Sequence, residues 1–406
     1  MTVERNEQRH AGRAAILTYG FRPFFLLAGA YAVVAVAAWL AIFFGVLSAP
    51  SDWSPAYFHG HEMLFGFVTA AIAGFLLTAV PNWTGAPPLR GRALAGLVAL
   101  WLAGRVVQWL AAVLPSVLVA VVDLAFLPAV AATVAPALWA AGKRSNLVIL
   151  VMPTVLVVAD LLVHLEVAGV VADGARLGLY LAADTIALLI AVIGGRIVPA
   201  FTRNALRFAG NPAPVAARPA LDRLALASLA LIVVVDLVRA GQGAPFAGPA
   251  AGVAALAAAV LNGARMAGWQ SRRTLGEPLL WVLHLGYGWL VLGLLAKAAA
   301  NLTDAVPHAA ALHATTVGAI GTMIFAVMSR TGLGHTGRPL SVGRLIAVAY
   351  LFVSAAAITR VALPLLGRFD LMGVIVSGVF WIAAFGVFVA VYWPILTRPR
   401  ADGRPG

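Results

Sequence analysis

Apolar residues run along this chain in long blocks, each close to the roughly 20 residues that a helix needs to cross a bilayer. The blocks are 24–47, 63–80, 93–114, 117–141, 147–169, 177–201, 224–240, 246–269, 279–302, 309–328, 342–366 and 371–396. Short polar or basic connections separate them, so the pattern predicts an all-α polytopic membrane protein of about twelve transmembrane helices. Residues 1–23 read as an N-terminal tail, 24–397 as a single membrane domain and 398–406 as a second tail. The longest connection, 202–222, divides the helices six and six, and its N-P-A-P and R-P steps read as an ordered loop or linker.

Composition changes this picture little, since 62% hydrophobic and 11% charged residues leave no segment polar enough for a soluble domain. Charge adds orientation. The net charge of +13 would suit a nucleic-acid partner if it were concentrated, but the basic residues fall in short clusters between apolar runs. Of 28 Lys and Arg, 22 lie in one alternating set of connections and tails. That bias is a topology signal: it predicts a multi-pass protein with cytoplasmic termini and no nucleic-acid partner. The basic N-terminal tail lacks the apolar core and cleavage site of a signal peptide and is expected to stay cytoplasmic. Absence of cysteine excludes disulfides, thiolate ligation, iron–sulfur clusters and covalent c-type haem.

Candidate chemistry lies where polar residues interrupt apolar runs, because such residues are expensive in hydrocarbon and need a partner. His59, His61 and Glu62, in F-H-G-H-E-M, stand at the mouth of the second run, on the predicted exterior side. On a helix His59 and Glu62 share a face while His61 points about 200° away from His59; Gly60 before the helix would instead let both rings converge. A second stretch holds His313, the small residues Thr315, Thr316, Gly318, Gly321 and Thr322, and then His335 in L-G-H-T-G-R. The small residues would let a helix or a flat macrocycle approach closely. A third, W-V-L-H-L-G-Y-G-W, carries His284 with Tyr287 and Gly288 on its face. His59, His61 and His313 would serve an exterior-half site, and His284 and His335 a cytoplasmic-half site. Buried charge is plentiful as well: Arg105, Asp123, Asp160, His164, Asp184, Asp236, Lys297 and Arg360. Arg105 and Asp123, on consecutive helices, form the expected structural pair, and the remainder, with Glu62, would orient ligands or line a proton path.

Taken together, F-R-P-F-F (21–25), H-G-H-E-M (59–63), W-T-G (83–85), G-G-R-I-V-P-A-F-T-R-N (194–204), H-L-G-Y (284–287) and the block 313–338 resemble the NnrS family. Phe58 stands where that family's pattern has Trp, and keeps the aromatic character. The resemblance implies a twelve-helix inner-membrane protein carrying haem and copper, tied to nitric oxide metabolism, denitrification or nitrosative stress. Carried over residue by residue, its metal-binding candidates are His59, His61, His284, His313 and His335. Neutral imidazole suits haem iron and copper alike, and without cysteine the haem would be b-type. Arg22 and Arg196 could pair with haem propionates. Nitric oxide would be the ligand, bound or reduced in the manner of a nitric oxide reductase, with an electron donor still to be identified. The rival reading is a proton-coupled secondary transporter using the buried Asp, Arg, Lys and His residues.

Overall fold

A computed structural model describes residues 15–50, 53–142, 144–216, 218–241, 248–303, 305–366 and 370–404. Arg5, Arg9 and Arg13 of the basic tail, and Lys143 and Arg368 of the connections, lie outside them. The described chain is helical, with no strand among its described residues. In order the long helices are α1 Phe21–Phe43, α2 Pro55–Thr84, α3 Gly91–Trp109, α4 Ser116–Ala140, α5 Arg144–Val167 and α6 Gly174–Phe208. They continue as α7 Pro219–Gly241, α8 Pro249–Ala267, α9 Pro278–Leu302, α10 His308–Gly334, α11 Arg344–Leu365 and α12 Asp370–Thr397. Ten of these, among the described residues, are long and apolar enough to cross a membrane. The expected runs 93–114 and 224–240 are helical as α3 and α7 but stand outside those ten. Much of the expected connection 202–222 is helix, since α6 continues to Phe208 and α7 begins at Pro219.

Local sequence explains where the helices start and stop. Proline at the first helical position opens α2, α8 and α9, where its missing N–H is not needed and its fixed φ suits the first turn. Before α2 the Ser54 hydroxyl also accepts a bond from the Tyr57 amide, at 3.3 Å. Gly85, at φ 75°, closes α2 by returning its amide to the Pro81 carbonyl at 2.8 Å.

Two helices are not α throughout. α2 widens into a π-helix over Glu62–Val68, directly after His61, and α10 does so over Ala314–Gly321, directly after His313. Wide turns release backbone carbonyls from the regular ladder, and neighbours take them up. In α2 the Gly66 carbonyl accepts the Trp101 indole N–H at 3.1 Å, while the Thr69 hydroxyl bonds back to Phe65.

The described chain divides into two compact units. Unit 1 comprises Met1–Ala182, Met328–Leu340 and Phe385–Gly406, and its interior is aromatic. Phe21, Phe24, Phe25, Phe67, Phe385 and Phe388 are fully buried there, with Phe67 edge-on to Phe385 at 5.2 Å between ring centres. The fully buried Arg22 joins α1 to the end of α12 by donating to the carbonyls of Leu396, at 3.0 Å, and Arg398, at 2.7 Å. Unit 2 comprises Ala183–Val327 and Ser341–Ala384 and packs more closely on small residues. Ala254, Ala255, Ala258 and Ala259 form the buried face of α8, and such faces let backbones approach. The expected small-residue face of α10 is filled by unit 2 itself: Gly318 lies under the Trp289 ring and Gly321 under Trp381.

Candidate metal centre

Unit 1 brings six of the sequence-predicted polar residues into one buried cluster. α2 contributes His61 and Glu62, α3 Arg105, α4 Asp123, and α5 Asp160 and His164, one turn apart on the same face. All six are 6% exposed or less. At the centre four donor atoms close a ring. His61 Nε2 lies 2.9 Å from Asp160 Oδ1 and 3.1 Å from Asp123 Oδ2. His164 Nε2 lies 3.2 Å from the same Asp123 oxygen and 3.8 Å from the same Asp160 oxygen. All four donors fall within 4.8 Å of one another. Ring edges of this size are what two imidazoles and two carboxylates show around a shared ion, with bonds of about 2.0–2.2 Å.

The surroundings orient these donors. His61 Nδ1 is 3.0 Å from Glu62 Oε1, so an Nδ1–H donated to that carboxylate leaves the Nε2 lone pair facing the ring. Glu62 is in turn fixed by Arg105 Nη1, at 2.6 Å, and by the hydroxyl of Tyr31, which accepts the Trp109 indole N–H at 2.9 Å. Arg105 also pairs with Asp123 through its other nitrogen, spanning the two carboxylates with the planar fork that suits a guanidinium. Gly66 makes that reach possible, because a Cβ there would come within 2.6 Å of the Tyr31 ring and 3.1 Å of Arg105 Nη1. Over the ring lies Trp53, edge-on to His61 at 4.9 Å and to His164 at 5.8 Å, limiting access from that side.

Charge in the cluster does not balance. Glu62, Asp123 and Asp160 bring three negative charges and Arg105 one positive, so with neutral imidazoles the buried group carries two negative charges in excess. Two protons on the imidazoles would cancel them, and so would one divalent cation in their place. A buried excess of that size is too costly to stand uncompensated. A further polar atom waits at the ring's edge. Gln108 Nε2 donates to Asp123 Oδ2 at 2.7 Å and sits 3.4 and 3.5 Å from the Nε2 atoms of His61 and His164, while its Oε1 is buried with no partner. Exchanging amide nitrogen and oxygen would turn that acceptor toward the ring as one more oxygen donor.

Other predicted site residues lie apart from this ring. His59 leaves the opposite side of α2 and stacks on Trp39, ring centres 4.6 Å apart, so the structure separates it from His61. His335 is half-buried in unit 1 against Phe21, and burial followed by the positive charge of Arg400 pushes its imidazole below the ordinary range. Nearby, Arg22 keeps Nε and Nη2 buried and without a partner. In unit 2 both ring nitrogens of His284 are engaged, Nε2 with Thr202 Oγ1 at 3.0 Å and Nδ1 with Ser271 Oγ at 2.9 Å. Tyr287 donates to Asn262 at 2.6 Å and accepts from Arg265 at 3.1 Å. His313 Nδ1 bonds the Ala309 carbonyl at 2.6 Å, and Arg196 is exposed on α6. Asp184 joins a separate cluster of unit 2 with Lys297 and Asp236. Sequence reasoning did not single out Gln108, Tyr31, Trp53 or Trp109. All four are uncharged, and only Gln108 interrupts an apolar run with a strongly polar group.

A family model described as NnrS protein matches residues 15–400. No curated protein matches the chain.

Proposed function

The chain belongs to the NnrS family, and on that footing we propose that it is a membrane metalloprotein of nitric oxide metabolism or the nitrosative-stress response, with a divalent ion at His61, Asp123, Asp160 and His164. The observation that carries this reading is the ring of four buried donors with two negative charges in excess, which one divalent cation cancels. Copper is the ion we assign to it, because two imidazoles and two carboxylates suit the tetragonal nitrogen and oxygen coordination of Cu(II), and copper stands highest among divalent metals in affinity for such sites. In this reading Glu62 holds the His61 tautomer, Arg105 fixes Glu62 and Asp123 relative to each other, and Trp53 restricts water.

Haem b is the second cofactor we assign, with His335 as the candidate ligand and Arg22 as the candidate propionate partner. Two observations favour this pair over His284. The His335 ring has no hydrogen bond to either nitrogen among those described, whereas both nitrogens of His284 are taken. The buried, unpartnered Nε and Nη2 of Arg22 offer what a propionate carboxylate accepts. When bound, these metals would supply open coordination positions for nitric oxide, a small apolar molecule that reaches a membrane-embedded centre through lipid. Reduction of that ligand would draw electrons from a partner.

Metal analysis and absorption spectra of the purified full-length protein test both assignments. His61→Ala and Asp160→Asn should each remove the non-haem metal and leave the haem absorption in place. His335→Ala should do the reverse. A His61→Ala protein that keeps its full complement of copper would refute the ring as the copper site.

A further inference from the structure

Unit 2 buries a charged cluster of its own, outside anything the metal centre uses. Lys297 on α9 donates to Asp184 of α6, at 2.9 and 3.2 Å to its two oxygens, and to Asp236 of α7 at 2.5 Å. Two carboxylates thus share one ammonium, leaving one negative charge in excess. Among the described residues no other cation bonds either carboxylate. Asp236 is 2% exposed and its Oδ1 has no hydrogen-bond partner, while the neighbouring residue of the other acid, Thr185, has a buried hydroxyl that also donates to nothing. The two carboxylates bind the same ammonium nitrogen, which brings two like charges side by side.

Among the described residues, the helices packed around the cluster bring little further charge. α8 presents alanines, and its Arg265 is committed to Asp222 at 2.6 Å. Asn301, one turn beyond Lys297, bonds the Lys297 carbonyl and the Gly248 amide. On α10 the titratable groups at the corresponding end are His308 and His313, the latter bonded to the Ala309 carbonyl. A divalent metal has no purchase here, because the centre between the two carboxylates is already filled by an ammonium.

Position gives the site an outlet. Asp236 and Lys297 each stand five residues from the last residue of α7 and α9, about 8 Å, and Asp184 ten residues from the first residue of α6, about 15 Å. The side chains of Asp184 and Lys297 are 15% and 14% exposed, against 3% for Asp236, so the cluster runs from a reachable edge to a sealed interior.

We propose that Asp184, Asp236 and Lys297 form a proton-binding site, in which one proton shared by the two carboxylates neutralises the cluster and exchanges with water at the adjoining helix ends. Uptake converts one carboxylate into a carboxyl, the proton leaving hydronium as water, and release reverses it. No electron moves. The site therefore equips unit 2 to load and unload single protons, whatever occupies the ring of unit 1.

Infrared difference spectroscopy of the full-length protein in lipid nanodiscs, titrated from neutral to alkaline pH, tests this directly. The native protein should show the carbonyl stretch of a protonated carboxyl that shifts in heavy water and fades as pH rises. Asp184→Asn and Asp236→Asn should each lose that signal and stay folded, since either leaves a balanced ion pair with Lys297. Lys297→Gln should strengthen it, because two carboxylates without an ammonium must both take protons. Amplitude and pH dependence in both Asn variants equal to those of the native protein would overturn the proposal. So would loss of the native signal on replacing choline by sodium at constant pH, which would make the site one for a metal cation.

Discussion

Unit 1 and unit 2 each bury carboxylates against a cation, and they solve the electrostatic problem with different chemistry. In unit 1 an arginine fork spans Glu62 and Asp123, while two imidazoles close a ring with Asp123 and Asp160. In unit 2 a lysine point charge sits between Asp184 and Asp236, with no imidazole bonded to them. An excess of two charges beside nitrogen lone pairs favours a divalent ion; an excess of one beside an ammonium favours a proton. What separates the two is therefore the count of uncancelled charge together with the type of donor, and neither can be read from burial alone.

Removing the central cation from each cluster should separate the two units most widely. Arg105→Ala strands Glu62 and Asp123 together, which in a buried setting costs on the order of 3–5 kcal/mol. Thermal unfolding and the yield of folded protein should therefore fall sharply, and any bound metal should be lost with the fold. Lys297→Gln should be milder in the same assays, because its two carboxylates can each take up a proton. Equal losses would mean that the two clusters do not differ in this way.

A gentler change sharpens the contrast inside unit 1. Glu62→Gln keeps the shape of the side chain but loses the carboxylate that aligns His61. Affinity for the copper proposed at the ring, measured by competition with a chelator, should fall about 10–100-fold while the metal still binds at saturation. An unchanged affinity would show that Glu62 serves Arg105 alone.

The smallest effect belongs to an ion pair in water. Arg400 and Asp402 meet at 2.6 Å near the chain's end, and the Arg400 hydrogen bond holds the Asp402 carboxyl down to about 2. A depressed carboxyl contributes stability above its ordinary value of 3.8, and loses it as pH falls toward about 2. Because Asp402 is exposed at the surface, solvent screens the pair. Asp402→Asn should leave the unfolding temperature unchanged at pH 7 and at pH 3. A resolved shift would show that exposed and buried pairs behave more alike than their difference in solvent screening implies.

Much of this architecture was legible because charge inside an apolar run stands out. Arg105, Asp123, Asp160, His164, Asp184 and Lys297 were visible as anomalies, and consecutive helices suggested the Arg105 and Asp123 pair, which the structure contains. Partnerships across distant helices were not legible. Asp160 and His164 lie 99 and 103 residues from His61, and nothing in their local sequence says which helix α5 will face. The proximity of His59 to His61 in sequence suggested a shared site, yet helical geometry sends them to opposite sides. Gln108 and Trp53 escaped for the converse reason, since neutral residues raise no alarm. Neither π-helical stretch has a composition that distinguishes it from α-helix.

The π-helix after His61 makes the length of α2 as consequential as its composition. An α-helical residue advances about 100° around the axis, and a wide turn accommodates one residue more than the regular ladder would. Deleting one residue within Met63–Val68 would thus let the turn revert to α with His61 and Glu62 aimed much as before relative to the rest of α2, whereas a deletion in the regular turns after Val68 would swing them by roughly that angle against everything beyond it. The wide turn can therefore absorb a single-codon gap at the cost of the free carbonyl that Gly66 offers Trp101, and the regular turns cannot. In a sequence alignment, a one-residue gap would be easier to accept within Glu62–Val68 than after it.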